Sequence, residues 1–181
     1  MSIKLRDDRG GSLGFISMGL GWDPVPYRRF GERRRPIDLD ASALLYAGDR
    51  LVDAVYYGHL ASVDGSVRHH GDNMTGEGRG DDEVITVDLT RLPPEITCVL
   101  FLVTCLSGQL LAQVKNVYFR LVDATSGIEI ARYEVRGVNS LGLIMGVVYE
   151  AGGGWCFQEV VEGIDVGHPS EAVPMLGRYL P

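Results

Sequence analysis

Twenty-four glycines are scattered through 181 residues, and they argue against any fold made of long helices, where each would weaken the helix. Between them Val, Ile, Leu, Tyr and Thr come in runs of five to ten residues bounded by turn signals. No window longer than ten residues keeps a helical period. The economical reading is an all-β chain: a single domain over residues 1–181, built as a sandwich of two antiparallel sheets with short peripheral helical segments.

The runs can be placed in order. Ser2 to Arg6 reads as an edge strand, and Leu13 to Leu20 as a second strand that delivers Trp22 and Asp23 at a fixed exit. Ile37 to Ala47 alternates, with Ile37, Leu39, Ala41, Ala43 and Leu45 on one face and Asp38, Asp40, Ser42, Leu44 and Tyr46 on the other. Asp38 and Asp40 therefore point the same way, about 7 Å apart along the strand. Val52 to Leu60 and Val84 to Leu89 read as further strands. Ile96 to Leu106 is apolar at nearly every position, which implies cover on both faces. Val114 to Ala124 and Ile128 to Arg136 form one hairpin, and Leu141 to Glu150 and Trp155 to Glu162 another, joined around Ala151-Gly152-Gly153-Gly154. This glycine run connects two strands and lacks a following Lys-Ser/Thr, so it reads as a turn and not as a nucleotide loop. A short helix is expected over Ser170 to Leu180, with Ser170 as its N-cap.

The chemistry concentrates in Asp72-Asn73-Met74-Thr75-Gly76-Glu77-Gly78-Arg79-Gly80-Asp81-Asp82-Glu83. Oxygen-bearing side chains alternate with glycines, and the stretch runs straight into a strand, which suits an oxygen cage for a hard divalent cation. Calcium tolerates an irregular cage of six to eight oxygens better than magnesium does. A solvated surface turn has the same residue types, but the consecutive carboxylates Asp81, Asp82 and Glu83 repel one another unless a counterion joins them. His69 and His70 invite zinc, yet no cysteine lies nearby and oxygen donors dominate.

Other classes are less well supplied. A formal charge of -7 and a pI near 5.0 make nucleic acid a poor partner. Cys98, Cys105 and Cys156 sit in apolar surroundings and read as buried thiols of a reducing compartment. No signal peptide or bilayer-length apolar run is seen, so a cytoplasmic protein is expected. There is no Gly-x-Ser-x-Gly elbow. The alternative to a binding module is a metal-dependent hydrolase in which the acidic cluster activates water and His69 or His70 acts as base. The one basic run, Pro26 to Pro36, carries Arg28, Arg29, Arg33, Arg34 and Arg35 and offers contact to an anionic surface.

Gly21-Trp22-Asp23-Pro24, Asp38-Leu39-Asp40-Ala41-Ser42, Tyr57-Gly58 and Gly71 to Glu83, in this order, resemble the signatures of the TerD family of tellurium-resistance and stress-response proteins. The resemblance covers about residues 1–165 and implies a calcium-binding β-sandwich without established catalysis, cytoplasmic or peripheral at the inner membrane. It also implies partnership with other stress-response proteins of a membrane-associated complex. Carried over by residue, the metal ligands fall on Asp23, Asp38, Asp40, Asp72, Asn73, Glu77, Asp81, Asp82 and Glu83. The Arg-rich loop at 26–36 departs from the pattern of many relatives, which are shorter and less basic there.

Overall fold

The structure, a computed structural model, describes residues 1–26 and 35–181. Eleven strands are named along the chain: β1 (Ser2–Lys4), β2 (Phe15–Gly21), β3 (Leu39–Ala47), β4 (Arg50–Val55), β5 (Val67–His69), β6 (Glu83–Asp88), β7 (Cys98–Cys105), β8 (Tyr118–Asp123), β9 (Glu129–Glu134), β10 (Gly142–Ala151) and β11 (Gly154–Ile164). They form two antiparallel sheets. One is six-stranded, in the order β1-β11-β10-β7-β3-β4, and the other five-stranded, in the order β5-β6-β2-β8-β9. The expected sandwich is present.

Alternation explains the packing between the sheets. Leu39, Ala41, Ala43 and Leu45 of β3, Val99, Phe101 and Val103 of β7, and Met18, Leu20, Phe119 and Leu121 of the facing sheet join one continuous core. Phe101, Phe119 and Phe157 are fully enclosed, so truncating any of them to Ala would cost about 3–5 kcal/mol. Strand β7 is buried at every position. Its second face, with Cys98, Leu100 and Leu102, is covered from the C-terminus by Ala172 and Leu176, so the two-sided cover expected from its composition is supplied by helix. The same cover buries Leu44 and Tyr46 of β3.

The β10–β11 hairpin closes with Ala151 opposite Gly154. Gly152 and Gly153 between them have φ of +61° and +80°, the pair of left-handed residues that a tight two-residue hairpin requires. Two expectations need correction. The strand expected to run to Leu60 ends at Val55, because Tyr56 and His59 exchange backbone hydrogen bonds and fold the chain into a turn. The terminal helix is α1 (Pro169–Ala172), continued by a 3-10 helix over Val173–Tyr179, and its N-cap is His168, not Ser170. The His168 ring accepts the Ser170 N–H at 3.2 Å, and Pro169 occupies the first helical position, where no N–H is needed. No helix among the described residues is long and apolar enough to cross a membrane. All three cysteines are free and buried, and burial pushes the Cys98 thiol up to about 11.

Candidate metal centre

Three carboxylates from two distant segments meet at one rim of the sandwich. Asp38 enters β3, Asp40 lies within it, and Asp72 belongs to the loop between β5 and β6. One oxygen from each lies within 4.8 Å of the others. Asp40 is only 1% exposed, whereas Asp72 is open to solvent. Among the described residues neither Asp40 oxygen has a hydrogen-bond partner, and neither does Oδ1 of Asp38.

Such an arrangement disfavours ionisation. Burial, followed by the charges of Asp38, Glu83 and Asp72, pushes the Asp40 carboxyl up to about 8. Burial and the charges of Asp72 and Glu83 likewise raise Asp38. Buried acceptors without donors are rare in folded proteins, and grouped carboxylates without a counter-charge are unfavourable. A cation relieves both conditions at once. The donor set is all oxygen, one partner is exposed and leaves an entry path, and the residues therefore fit a hard divalent ion. The buried hydroxyls of Ser42 and Thr104 also lack partners among the described residues; Ser42 shares the Asp40 face of β3, and Thr104 stands directly opposite Asp40 on β7.

The rest of the predicted ligand set is distributed differently. Asn73 organises its own loop, with Oδ1 accepting the N–H groups of Thr75 at 3.1 Å and Gly76 at 3.0 Å. Its amide donates to Asp82 Oδ1 at 3.2 Å and to the Glu77 carbonyl at 3.3 Å. Asp82 accepts the Trp22 N–H at 2.8 Å, and its carboxyl is raised by burial, against that hydrogen bond. Glu83 Oε2 accepts the Ala41 N–H at 2.7 Å and lies 3.2 Å from His69 Nε2, while Oε1 accepts the Asn73 N–H at 3.2 Å. Asp81 faces away, onto the outer side of the five-stranded sheet, where Arg120 Nε donates to it at 2.8 Å and the Tyr118 hydroxyl at 3.0 Å. Asp23 is exposed and accepts from Asn116 Nδ2 at 2.7 Å. The Glu77 side chain is exposed.

Glycine makes two of these placements possible. A Cβ at Gly19 would lie 2.2 Å from Asp81 Oδ2, so only glycine lets that carboxylate lie flat on β2. Gly76, at φ +72°, sits against the Trp22 indole, which is anchored by donation to the Ile37 carbonyl at 3.1 Å. Tyr56, Tyr57 and the His168 ring meet edge to face beside the rim. Burial, then the negative charges of Asp40, Asp38 and Asp72, raise the Tyr57 hydroxyl.

Sequence reasoning did not identify Arg120, Tyr118 or Asn116 as partners of the acids. It named His69 only as a zinc donor or hydrolytic base. A signal existed for His69, because the period of β5 places it on the same buried face as Val67. The expected anionic contact through Arg28, Arg29, Arg33 and Arg34 lies outside the described residues; Arg35 is described and exposed.

Comparison with known proteins agrees with this architecture. The profile of the TerD domain matches residues 2–169. The chain is 39% identical to tellurium resistance protein TerZ of Serratia marcescens over 153 residues, covering 81% of this chain and 78% of that protein. It is 35% identical to stress response protein SCP2 of Bacillus subtilis (strain 168) over 176 residues, covering 89% and 88% of the two chains. The crystal structure of a homologue of telluride resistance protein (TerD) from Streptomyces coelicolor A3(2) superposes with a TM-score of 0.78 at 27% identity, over 91% of this chain and 98% of that one. With its profile, relatives and fold in agreement, this chain belongs to the TerD family of tellurium-resistance and stress-response proteins.

Proposed function

We propose that the protein is a calcium-binding stress-response module associated with tellurium resistance, non-catalytic, that holds the ion between Asp38, Asp40 and Asp72. The observation that carries this reading is the burial of both Asp40 oxygens, without a partner among the described residues, within a set of three converging carboxylates. An all-oxygen set with one solvent-facing member favours calcium over zinc, which prefers imidazole and thiolate, and over magnesium, which demands a compact octahedron. When bound, the ion supplies the positive charge that lets all three carboxylates ionise together.

The state of the histidines supports a binding role over the hydrolase alternative. The His69 side chain is fully buried, with Nε2 against Glu83 and Nδ1 accepting the Gly71 N–H, and His70 Nε2 is engaged with Thr86 at 2.9 Å. Both nitrogens of the His69 ring are thus engaged, which leaves it unable to serve as a base for a metal-bound water. The three buried free thiols accord with a reducing, cytoplasmic setting. Other stress-response proteins are the partner class this reading carries, with the exposed rim around Asp72 as the side on which ion and partner meet.

The test is a pair of thermal melts, in chelator and in saturating calcium. Calcium raises the melting temperature on this account and magnesium raises it less. Equal melts in chelator and calcium would refute it.

A further inference from the structure

We propose that Glu83 and His69 form a positioning pair that fixes the loop carrying Asp72 against the strand carrying Asp40 before any ion arrives. This inference rests on the cation reading above and assigns Glu83 a place behind the ion instead of on it.

The pair brackets Asp72. On one side, the Gly71 N–H donates to His69 Nδ1 at 3.2 Å; on the other, the Asn73 N–H donates to Glu83 Oε1 at 3.2 Å. The chain enters this bracket through Gly71 at φ +123°, a conformation that glycine adopts most readily. The N–H groups of both residues that flank Asp72 are therefore held from the protein interior, and the Asp72 carboxylate is left to face the rim.

The Glu83 carboxylate also reaches β3. Its ladder with β4 begins at Ala43, so the N–H of Ala41, the residue after Asp40, is taken up by a side chain instead of a strand: Glu83 Oε2, at 2.7 Å. Glu83 thus ties together the residue after Asp40 and the residue after Asp72, and His69 ties down the residue before Asp72. Both side chains are wholly enclosed, at 0% exposure each. Because Nδ1 accepts from a backbone N–H, the ring proton sits on Nε2 and points at Glu83, 3.2 Å away, which fixes one neutral tautomer.

Three donors already converge on the two Glu83 oxygens and leave at most one lone-pair site, on Oε1, and Glu83 is not among the three carboxylates whose oxygens gather within 4.8 Å of one another. Partners behind ligands commonly set affinity by holding ligand orientation, and losing one typically weakens metal binding about 10- to 100-fold. A loop anchored in this way loses little freedom when the ion binds.

The experiment compares wild type, Glu83→Gln, His69→Ala and His69→Gln, reading calcium affinity by calorimetry and amide exchange of Ala41, Gly71 and Asn73 in chelated protein. His69→Gln keeps a side-chain N–H in reach of Glu83 and is the conservative rescue. The expected result is that His69→Ala weakens calcium binding about tenfold or more and speeds exchange at Gly71, while His69→Gln recovers part of the affinity. Glu83→Gln should weaken binding and speed exchange at Ala41 and Asn73. Weaker binding in Glu83→Gln, combined with unchanged affinity and unchanged Gly71 exchange in His69→Ala, would overturn the pair and make Glu83 a direct ligand. If wild type binds no calcium, the cation reading fails, and exchange alone decides the pair: deprotection of the three amides sustains it and their unchanged protection ends it. Nitrogen chemical shifts of His69 in chelated wild type give a check that needs no variant. Nε2 protonation agrees with the pair, and Nδ1 protonation contradicts it.

Discussion

Two groups of carboxylates in this molecule have reached opposite electrostatic solutions. On the outer face of the five-stranded sheet, Arg120 bridges Asp81 and Glu129 at 2.8 and 3.1 Å, and Arg132 adds a second contact to Glu129 at 3.2 Å. Hydrogen bonds from Arg132 and Arg120 hold the Glu129 carboxyl below its ordinary value. At the rim, Asp38, Asp40 and Asp72 approach one another with no arginine or lysine among their partners in the described residues, and burial drives Asp40 up to about 8. Acid residues adjacent in sequence part from one another: Asp81 points to Arg120, Asp82 to the Trp22 amide and Glu83 to the interior. The paired group is complete as it stands, whereas on the proposed reading the rim is completed by a cation. Density of acids in a sequence does not separate the two groups; their partners in the fold do.

The largest effect that separates the two groups is the response to calcium. At a hundredfold excess over the dissociation constant, binding adds about 2.7 kcal/mol, which for a domain of this size raises the melting temperature by about 5–10 °C. Asp40→Asn and Asp72→Asn should each remove most of that increment, and Asp81→Asn should leave it whole. An increment lost in Asp81→Asn and kept in Asp40→Asn would reverse the comparison.

A second effect is the pH dependence of chelated protein. Asp40 has a folded value of about 8 against an ordinary 3.8, so between these values the unfolded chain has shed a proton that the cation-free fold retains. Stability of chelated protein should therefore fall as pH rises from about 4 to about 8. Asp40→Asn should flatten that slope in urea titrations across the range. In wild type at pH 7, calcium binding should release about one proton, seen as a buffer-dependent heat. Paired Glu129 contributes in the opposite direction, because its lowered value favours the fold above its unfolded range and that contribution is lost in acid.

The sandwich was legible because its signals are local. Period-two alternation separated Leu39, Ala41, Ala43 and Leu45 from Asp40 and Ser42, and the paired glycines 152 and 153 fixed a hairpin without reference to the rest of the chain. The convergence of Asp38 and Asp40 on Asp72 followed from the rule that strand ends gather at one rim. The division of labour within residues 72 to 83 was not legible, because it depends on groups brought in from elsewhere: Arg120 is 39 positions from Asp81, and Ala41 is 42 from Glu83. The same holds for the helix cap, since Ser170 is a better capping residue by type, yet the chain direction set by Pro169 leaves that place to His168.

Smaller effects test the paired side. Asp81→Asn should lower stability by about 1 kcal/mol, because Arg120 keeps Glu129 and the pair is partly open to solvent. Arg132→Ala should cost about 0.5 kcal/mol or less in a denaturant midpoint, its contact with Glu129 being exposed. A loss of several kcal/mol in either variant would show that this network carries the fold and is no mere contrast to the rim.

The most direct measurement is calorimetric titration of calcium into chelated wild type and Asp40→Asn at pH 7. The account predicts saturable binding in wild type, weaker binding of magnesium, and loss of most calcium affinity in the variant. Absence of calcium heat in wild type, or binding of undiminished affinity in Asp40→Asn, would contradict it.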